Sequence, residues 1–191
     1  MNLEPFFTST AVVAIGEIGD KTQLLAIVLA AKFRKPWPII AGVLGATILN
    51  HTLAATVGYL VSDWLSGRWF RVAVGAAFIA MAAWALIPDK EDESAADRTH
   101  GGVFLTTLVS FFFVEIGDKT QIATSLLAAR YHQIAMVAAG TTIGMLIADV
   151  PAIFLGEAVT RIVPLNVVRM VAAAIFGLIG VWVLLAAFGV V

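Results

Sequence analysis

The heptapeptide Glu17-Ile18-Gly19-Asp20-Lys21-Thr22-Gln23 (EIGDKTQ) occurs twice in the chain, and its second copy spans residues 115–121. The two copies are 98 residues apart. Further identities at the same offset are Gly42 with Gly140, Gly58 with Gly156, Arg71 with Arg169, Phe78 with Phe176 and Trp84 with Trp182. Because these matches extend far beyond the motif, we infer that the chain is a duplicated unit.

The composition around the motifs is that of an integral membrane protein. Of 191 residues, 60% are hydrophobic and 13% are charged, and the mean hydropathy is +0.95. Soluble domains contain about 45–50% apolar and about 25% charged residues. The absence of Cys excludes disulfides and thiol chemistry, and a net charge of −1 provides no basic surface for nucleic acid. The sequence contains no GxxxxGK[ST] phosphate-binding loop, so it gives no sign of direct ATP use.

Six stretches are apolar and long enough to cross a bilayer, which takes about 20 residues per helix. They lie near residues 5–31, 37–61, 70–88, 102–129, 134–159 and 168–190. Each copy of the unit therefore contains three spans, and an odd number inverts the second copy relative to the first. We predict an all-α integral membrane protein with six transmembrane helices in two inverted three-helix repeats. The repeats are residues 1–88 and 102–191, joined by an acidic linker at 89–101.

The basic residues of the loops predict the orientation. Seven Lys and Arg residues lie in the loops after spans 1, 3 and 5, and three lie in the other two loops. Cytoplasmic loops carry the excess of Lys and Arg. We therefore predict that the linker is cytoplasmic and that both termini lie outside.

The two motifs place ionisable groups inside the bilayer, where a charged side chain costs about 2.5–3.5 kcal/mol. The six groups are Glu17, Asp20, Lys21, Glu115, Asp118 and Lys119. In a continuous helix, residues at i, i+3 and i+4 share one face, so we expect the repeat symmetry to bring all six together. Four carboxylates and two ammonium groups leave two negative charges. One divalent cation would balance these charges, and protons could do so in its absence.

We predict that the cation ligands are Glu17, Asp20, Glu115 and Asp118. Carboxylate, hydroxyl and amide oxygens suit Mn²⁺, Ca²⁺ or Mg²⁺. We expect supporting or proton-coupling roles for Lys21, Thr22, Gln23, Lys119, Thr120, Gln121, Asn50, His51 and Asp149. The alternative is that each Glu–Lys pair is a structural salt bridge, and that Asn50, His51 and Asp149 only bond to neighbouring helices. The surplus carboxylate in each motif favours the cation site.

The doubled E-x-G-D-K-T motif, with one copy in each three-helix half and an acidic loop between them, resembles the Gdt family of membrane cation exchangers. The resemblance covers essentially the whole chain. It implies that Glu17, Asp20, Glu115 and Asp118 are the cation-binding acids, and that Lys21, Thr22, Lys119 and Thr120 complete the motifs. For a chain this compact it resembles the bacterial members and implies export of Mn²⁺, or alternatively Ca²⁺, across the bacterial inner membrane in exchange for protons. With the inverted repeats, we expect this exchange to proceed by alternating access.

Three other functions remain open from the sequence. A passive divalent-cation channel or an exporter of another small solute could share the architecture. An intramembrane aspartyl protease using Asp20 and Asp118 is disfavoured, because the adjacent Lys residues would keep both carboxylates ionised. We therefore predict no enzymatic activity, no fixed cofactor and no nucleic-acid partner. The expected partners are the metal ion, protons and the bilayer.

Overall fold

The computed structural model describes residues 3–64, 67–87, 102–155 and 165–190. Within these ranges every regular element is an α-helix. The helices are α1 (Glu4–Glu17), α2 (Lys21–Phe33), α3 (Pro36–Trp64), α4 (Arg68–Ala85), α5 (Val103–Glu115), α6 (Lys119–Tyr131), α7 (Ile134–Leu155) and α8 (Leu165–Ala187). The all-α prediction is confirmed for this part of the chain. The acidic linker falls outside the described residues.

Each of the six predicted spans coincides with one helix or with a pair of consecutive helices. Four segments are long and apolar enough to cross a membrane by themselves: Pro36–Ser62, Arg68–Ala85, Ile134–Leu155 and Arg169–Ala187. The other two predicted spans are each divided, into α1 and α2 and into α5 and α6. Both divisions fall inside the repeated motif.

The division corrects the expectation of a continuous helix with Glu, Asp and Lys on one face. α1 ends at Glu17 and α2 begins only at Lys21. Between them Gly19 has φ 76°, and Gly117 has the same φ in the second copy. This left-handed conformation strains residues that carry a Cβ but not glycine. The glycine therefore breaks the helix, and Asp20 and Asp118 become the N-cap residues of α2 and α6.

The two halves pack against each other in equivalent pairs. α1 packs on α7, and the corresponding helices of the other half, α5 and α3, also pack together. Close approach needs small residues at both interfaces. A Cβ on Gly42 would lie 2.6 Å from Cβ of Thr107, and one on Gly144 would lie 2.7 Å from the backbone oxygen of Thr10. These contacts hold both broken segments against intact helices of the opposite half.

Two hydrophobic cores flank the breaks, and they contain equivalent residues of the two halves. Core A includes Leu127 and Val137, and core B includes Leu29 and Ile39, which are their counterparts at the 98-residue offset. α4 and α8 pack closely on each other and contribute buried side chains such as Phe78 and Phe176 to core A. Among the described residues, neither helix contributes to core B.

Candidate cation site

Three carboxylates from the two broken motifs converge between the halves. Glu17, Asp20 and Asp118 each offer an oxygen within 4.8 Å of the others. Glu17 is fully buried, and Asp20 and Asp118 are only 4% and 2% exposed. Glu17 is the last residue of α1, and Asp20 and Asp118 are the N-cap residues of α2 and α6. These three residues meet because the helix is interrupted in both motifs. The sequence analysis expected all four carboxylates of the motifs in one group, whereas the structure groups three of them and leaves Glu115 out.

Threonine hydroxyls of the motifs hold the carboxylates in place. Thr22 Oγ1 donates to Oε2 of Glu17 and lies 3.5 Å from Oδ2 of Asp20. In the second copy, Thr120 donates its hydroxyl to Oδ2 of Asp118 at 3.2 Å and its backbone N–H to the same oxygen at 3.4 Å. The threonine of each motif therefore contacts the acidic residues of its own motif.

Both lysines of the motifs have polar partners among the described residues. Lys21 Nζ lies 2.9 Å from Oδ1 of Asp118, so this ion pair joins the two halves. Lys119 donates to the backbone oxygen of Ile87 at 2.9 Å and lies over the Trp84 ring. It also lines a small cavity together with Asp20. The structural alternative considered from the sequence paired Glu17 with Lys21 within one motif, whereas this ion pair runs between the two motifs.

Both glutamines of the motifs bridge the helix breaks. The side-chain oxygen of Gln23 accepts the backbone N–H of Gly19 at 2.8 Å, and Gln121 accepts that of Gly117 at 2.6 Å. Gln23 also donates to the backbone oxygen of Ala148 on α7 at 3.0 Å. The amide groups thus satisfy backbone N–H groups that the interrupted helices leave without an intrahelical partner.

Glu115, the fourth predicted ligand, lies in a different environment from Glu17. His51 Nε2 lies 2.6 Å from Oε1 of Glu115, and Asn50 donates to Oε2 at 3.2 Å. Both Glu115 and His51 are fully buried. Asn50 of α3 therefore donates to one oxygen of this carboxylate, His51 lies beside the other without a hydrogen bond, and Glu115 stands outside the group of three.

Asp149 of α7 is a further buried carboxylate beside the group. It is fully buried, and within the described part of the chain neither of its oxygens has a hydrogen-bond partner. It interacts electrostatically with both Glu17 and Glu115. A buried carboxylate without a donor requires a compensating charge, so Asp149 adds to the negative potential around Glu17.

This arrangement can bind a hard cation with oxygen ligands. The ligand oxygens come from both halves, and Oε1 of Glu17 has no hydrogen-bond partner among the described residues. Carboxylate-rich sites of this kind suit Mn²⁺, Mg²⁺ and Ca²⁺. The sequence did not reveal that the Ile87 carbonyl is a partner of Lys119, since a backbone oxygen leaves no pattern in a single sequence.

The chain matches a family model described as "Divalent cation/proton antiporter GDT1" over residues 5–93 and 103–190. It is 47% identical over 169 residues to a Vibrio cholerae protein named "Putative manganese exporter", covering 88% of this chain and 84% of that protein. A GDT1-like protein of Synechocystis is 26% identical, with coverage of 94% and 96%. GDT1-like protein 5 of Arabidopsis thaliana is 24% identical, with 96% coverage of both chains. No solved structure matches the chain.

Proposed function

The chain belongs to the GDT1 family of divalent cation/proton antiporters, and from this premise we propose that it exports Mn²⁺ across the bacterial inner membrane in exchange for protons. It is a membrane protein and a transporter, not an enzyme. The observation that carries the proposal is the buried group of Glu17, Asp20 and Asp118, whose ligand oxygens lie within 4.8 Å of one another.

We propose these three carboxylates as the ligands in the conformation described. Mn²⁺ is the first candidate because the oxygen ligands suit it and because the Vibrio cholerae relative is named for manganese export. Ca²⁺ has the same preference for oxygen and is the second candidate. Glu115 would take part in transport from outside this group, where it contacts His51.

Exchange with protons follows from the charge of the buried group. When the cation leaves, its carboxylates remain in a region from which water is largely excluded, and uncompensated buried charge is unfavourable. Protons bound to the same carboxylates would remove that charge. Competition for one set of oxygens would then couple the outward movement of a cation to the inward movement of protons.

Alternating access is supported by the unequal packing of α4 and α8. Cores A and B contain equivalent residues, yet α4 and α8 contribute only to core A. α4 packs on α6 and α8 packs on α1. If the two repeats exchanged their conformations, α4 would pack on α5 and α8 would pack on α2 instead. We propose that the α4–α8 pair moves between these equivalent positions and exposes the site to one side at a time.

The membrane arrangement is part of the same proposal. α1–α2 and α5–α6 would each form one broken span, which makes six spans in two inverted repeats, residues 1–88 and 102–191. Discontinuous helices at the midplane are typical of transporters built from inverted repeats. The excess of Lys and Arg in the loops after spans 1, 3 and 5 supports a cytoplasmic linker and outside termini.

The test uses purified protein in liposomes that contain a pH-sensitive dye. Addition of Mn²⁺ to wild type should move protons, and Glu17→Gln should abolish the response because it removes a central carboxylate. Glu4→Gln, an exposed position on the same helix, is the matched control and should respond like wild type. Entry of Mn²⁺ without proton movement would indicate a channel instead, and absence of Mn²⁺ entry would indicate another solute.

A further inference from the structure

A cavity of about 510 Å³ lies where the α4–α8 pair meets the rest of the bundle. The beginning of α4 and the last turns of α8 line one side of it, and the last turns of α3 and α6 line the other. The described residues that line it include none from the two motifs. This cavity is therefore separate from the candidate cation site.

The charged side chains that line the cavity are basic. Arg71 comes from the first turn of α4, Arg130 comes from the last turn of α6, and His132 is the C-cap residue of α6. Among the described lining residues there is no Asp or Glu. Because arginine stays protonated at every physiological pH, the cavity presents two permanent positive charges.

Arg130 has a hydrogen-bond donor that the protein does not use. Its Nη1 is buried and has no hydrogen-bond partner among the described residues. The guanidinium lies 4.1 Å from the ring centroid of Trp182 and 5.0 Å from that of Tyr131, but an aromatic ring supplies no oxygen acceptor. Since buried N–H donors are normally paired, an oxygen atom bound in the cavity would satisfy this one.

The beginning of α4 adds backbone donors. Its N-cap residue, Gly67, lines the cavity and provides no side-chain cap. The first N–H groups of a helix lack intrahelical acceptors and attract anions. The C-terminal carbonyls of α3, α6 and α8 oppose this attraction, since these helices end near the same cavity. Each helix end is equivalent to only about half an elementary charge, so the two arginines make the cavity positive.

The repeat carries basic residues at the same places in the other half. At the 98-residue offset, the counterparts of Arg71, Arg130 and His132 are Arg169, Lys32 and Arg34. In the conformation described, Arg169 lines the small cavity beside Asp20. The packing of α4 and α8 at core A thus brings Arg71 together with Arg130, while Arg169 lies at a different cavity.

We propose that the cavity binds the phosphate group of an anionic ligand between Arg71 and Arg130. Because Arg71 lies on α4 and Arg130 on α6, the bound anion would join the α4–α8 pair to the rest of the bundle and stabilise its packing at core A. Phe70 and Val74 line the cavity beside the charges, and Trp182 is exposed. This combination suits the headgroup of a phospholipid, and inorganic phosphate shares the same chemistry.

The first experiment measures anion binding by isothermal titration calorimetry of the full chain in nonionic detergent, without Mn²⁺. The probes are inorganic phosphate, anionic dihexanoyl phosphatidylglycerol and zwitterionic dihexanoyl phosphatidylcholine. Wild type should bind one anion per chain, and should bind phosphatidylcholine at least about tenfold more weakly. Tighter binding of phosphatidylglycerol than of phosphate would identify a lipid headgroup, and phosphate binding of equal or greater affinity would identify a free phosphate group.

Substitutions test the two arginines. Arg71→Gln and Arg130→Gln should each weaken anion binding at least about tenfold, because each removes one of the two charges. Arg68→Gln is the matched control, since Arg68 lies in the same turn of α4 but is exposed and does not line the cavity. It should bind within about twofold of wild type. Absence of anion binding to wild type, equal binding of phosphatidylcholine, wild-type affinity in R71Q, or the same loss in R68Q would overturn the inference.

The effect on conformation is measured with a cysteine in core A. Val12 is 3% exposed and the chain has no native Cys, so the reaction of Val12→Cys with a polar maleimide reports separation of α8 from core A. A saturating anion should slow this reaction about threefold or more, and should have no such effect when Arg71→Gln is also present. An unchanged rate would show that the anion does not stabilise this packing.

The binding site goes beyond the proposed function, and only its effect on α4 and α8 rests on the movement proposed above. If wild type binds the anion but does not exchange Mn²⁺, the proposed function is wrong and the anion site stands. If wild type exchanges Mn²⁺ while R71Q binds the anion as tightly as wild type does, only the inference about the cavity fails.

Discussion

Breaking the Arg130–Trp182 contact should increase opening of the bundle at core A. The guanidinium of Arg130 on α6 lies 4.1 Å from the centroid of the Trp182 ring on α8. This contact joins the proposed moving pair to the rest of the bundle. We therefore expect Arg130→Gln and Trp182→Leu to favour the conformation in which α8 has moved away from core A.

The expected magnitude follows from the geometry of the contact. A cation–π pair contributes about 0.5–1 kcal/mol when exposed and about 2 kcal/mol when desolvated. Arg130 is partly buried and lines a cavity of about 510 Å³, so we take about 1 kcal/mol, which corresponds to a change of about fivefold in the ratio of two conformations. Arg130 also lies over its neighbour Tyr131, a local contact that would persist after opening.

The assay uses the absence of native cysteines. Val12 lies on α1 in core A and is 3% exposed, so Val12→Cys reports opening through its rate of reaction with a polar maleimide. Each substitution should raise that rate about fivefold, and the double variant should react no faster than either single variant. Arg68→Gln is the control, because Arg68 lies over Phe188, at the end of α8 in the same moving pair. Unchanged or additive rates would show that the Arg130–Trp182 contact does not hold α8 against core A.

Three further predictions concern the breaks, the ion pair and the moving pair. Gly117→Ala should lower the free energy of unfolding by about 1–2 kcal/mol through its φ of 76° alone, since a Cβ there meets no atom within 4 Å. Gly144→Ala should destabilise more, because its Cβ would press on the α1 backbone; equal losses in denaturant titrations would contradict this. Lys21→Gln should raise the affinity for Mn²⁺, because Asp118 loses the ammonium group that competes with the metal ion. The same substitution should lower the free energy of unfolding of the cation-free protein by up to about 3 kcal/mol. Weaker Mn²⁺ binding of the variant in calorimetry would contradict this prediction. Cysteines at Phe78 and Phe176, whose ring centroids lie 6.4 Å apart within the α4–α8 pair, should be joined by a short bifunctional thiosulfonate reagent without loss of transport. Inactivation that a reductant reverses would show that these helices move separately.

Much of the fold was accessible from the sequence because hydrophobic length and repetition are strong signals. The limits of α3 and α7 lie within a few residues of the predicted spans, and the two motifs do converge. The breaks at Gly19 and Gly117 were not predicted as such. Apolar residues continue through both motifs, and a lone glycine is compatible with either close packing or a left-handed turn.

The candidate site was predictable in its residue types but not in its grouping. The motif identity gave Glu17 and Glu115 the same role, while the structure gives them different neighbours. The difference arises from Asn50 and His51, which lie 64 or more residues from Glu115 in the sequence and meet it only because α3 packs on α5. Such a contact depends on helix packing, which the local sequence around each motif does not contain.

The most direct test of cation/proton exchange is uphill Mn²⁺ transport driven by a proton gradient alone. Liposomes containing wild-type protein are prepared with an acidic interior and with equal Mn²⁺ on both sides, at clamped membrane potential, and radioactive Mn²⁺ is followed inside. An exchanger predicts that Mn²⁺ accumulates above its external concentration as protons leave, and that dissipating the pH gradient or introducing Glu17→Gln abolishes the accumulation. Equilibration of Mn²⁺ without accumulation, at the same rate with and without the gradient, would contradict the account.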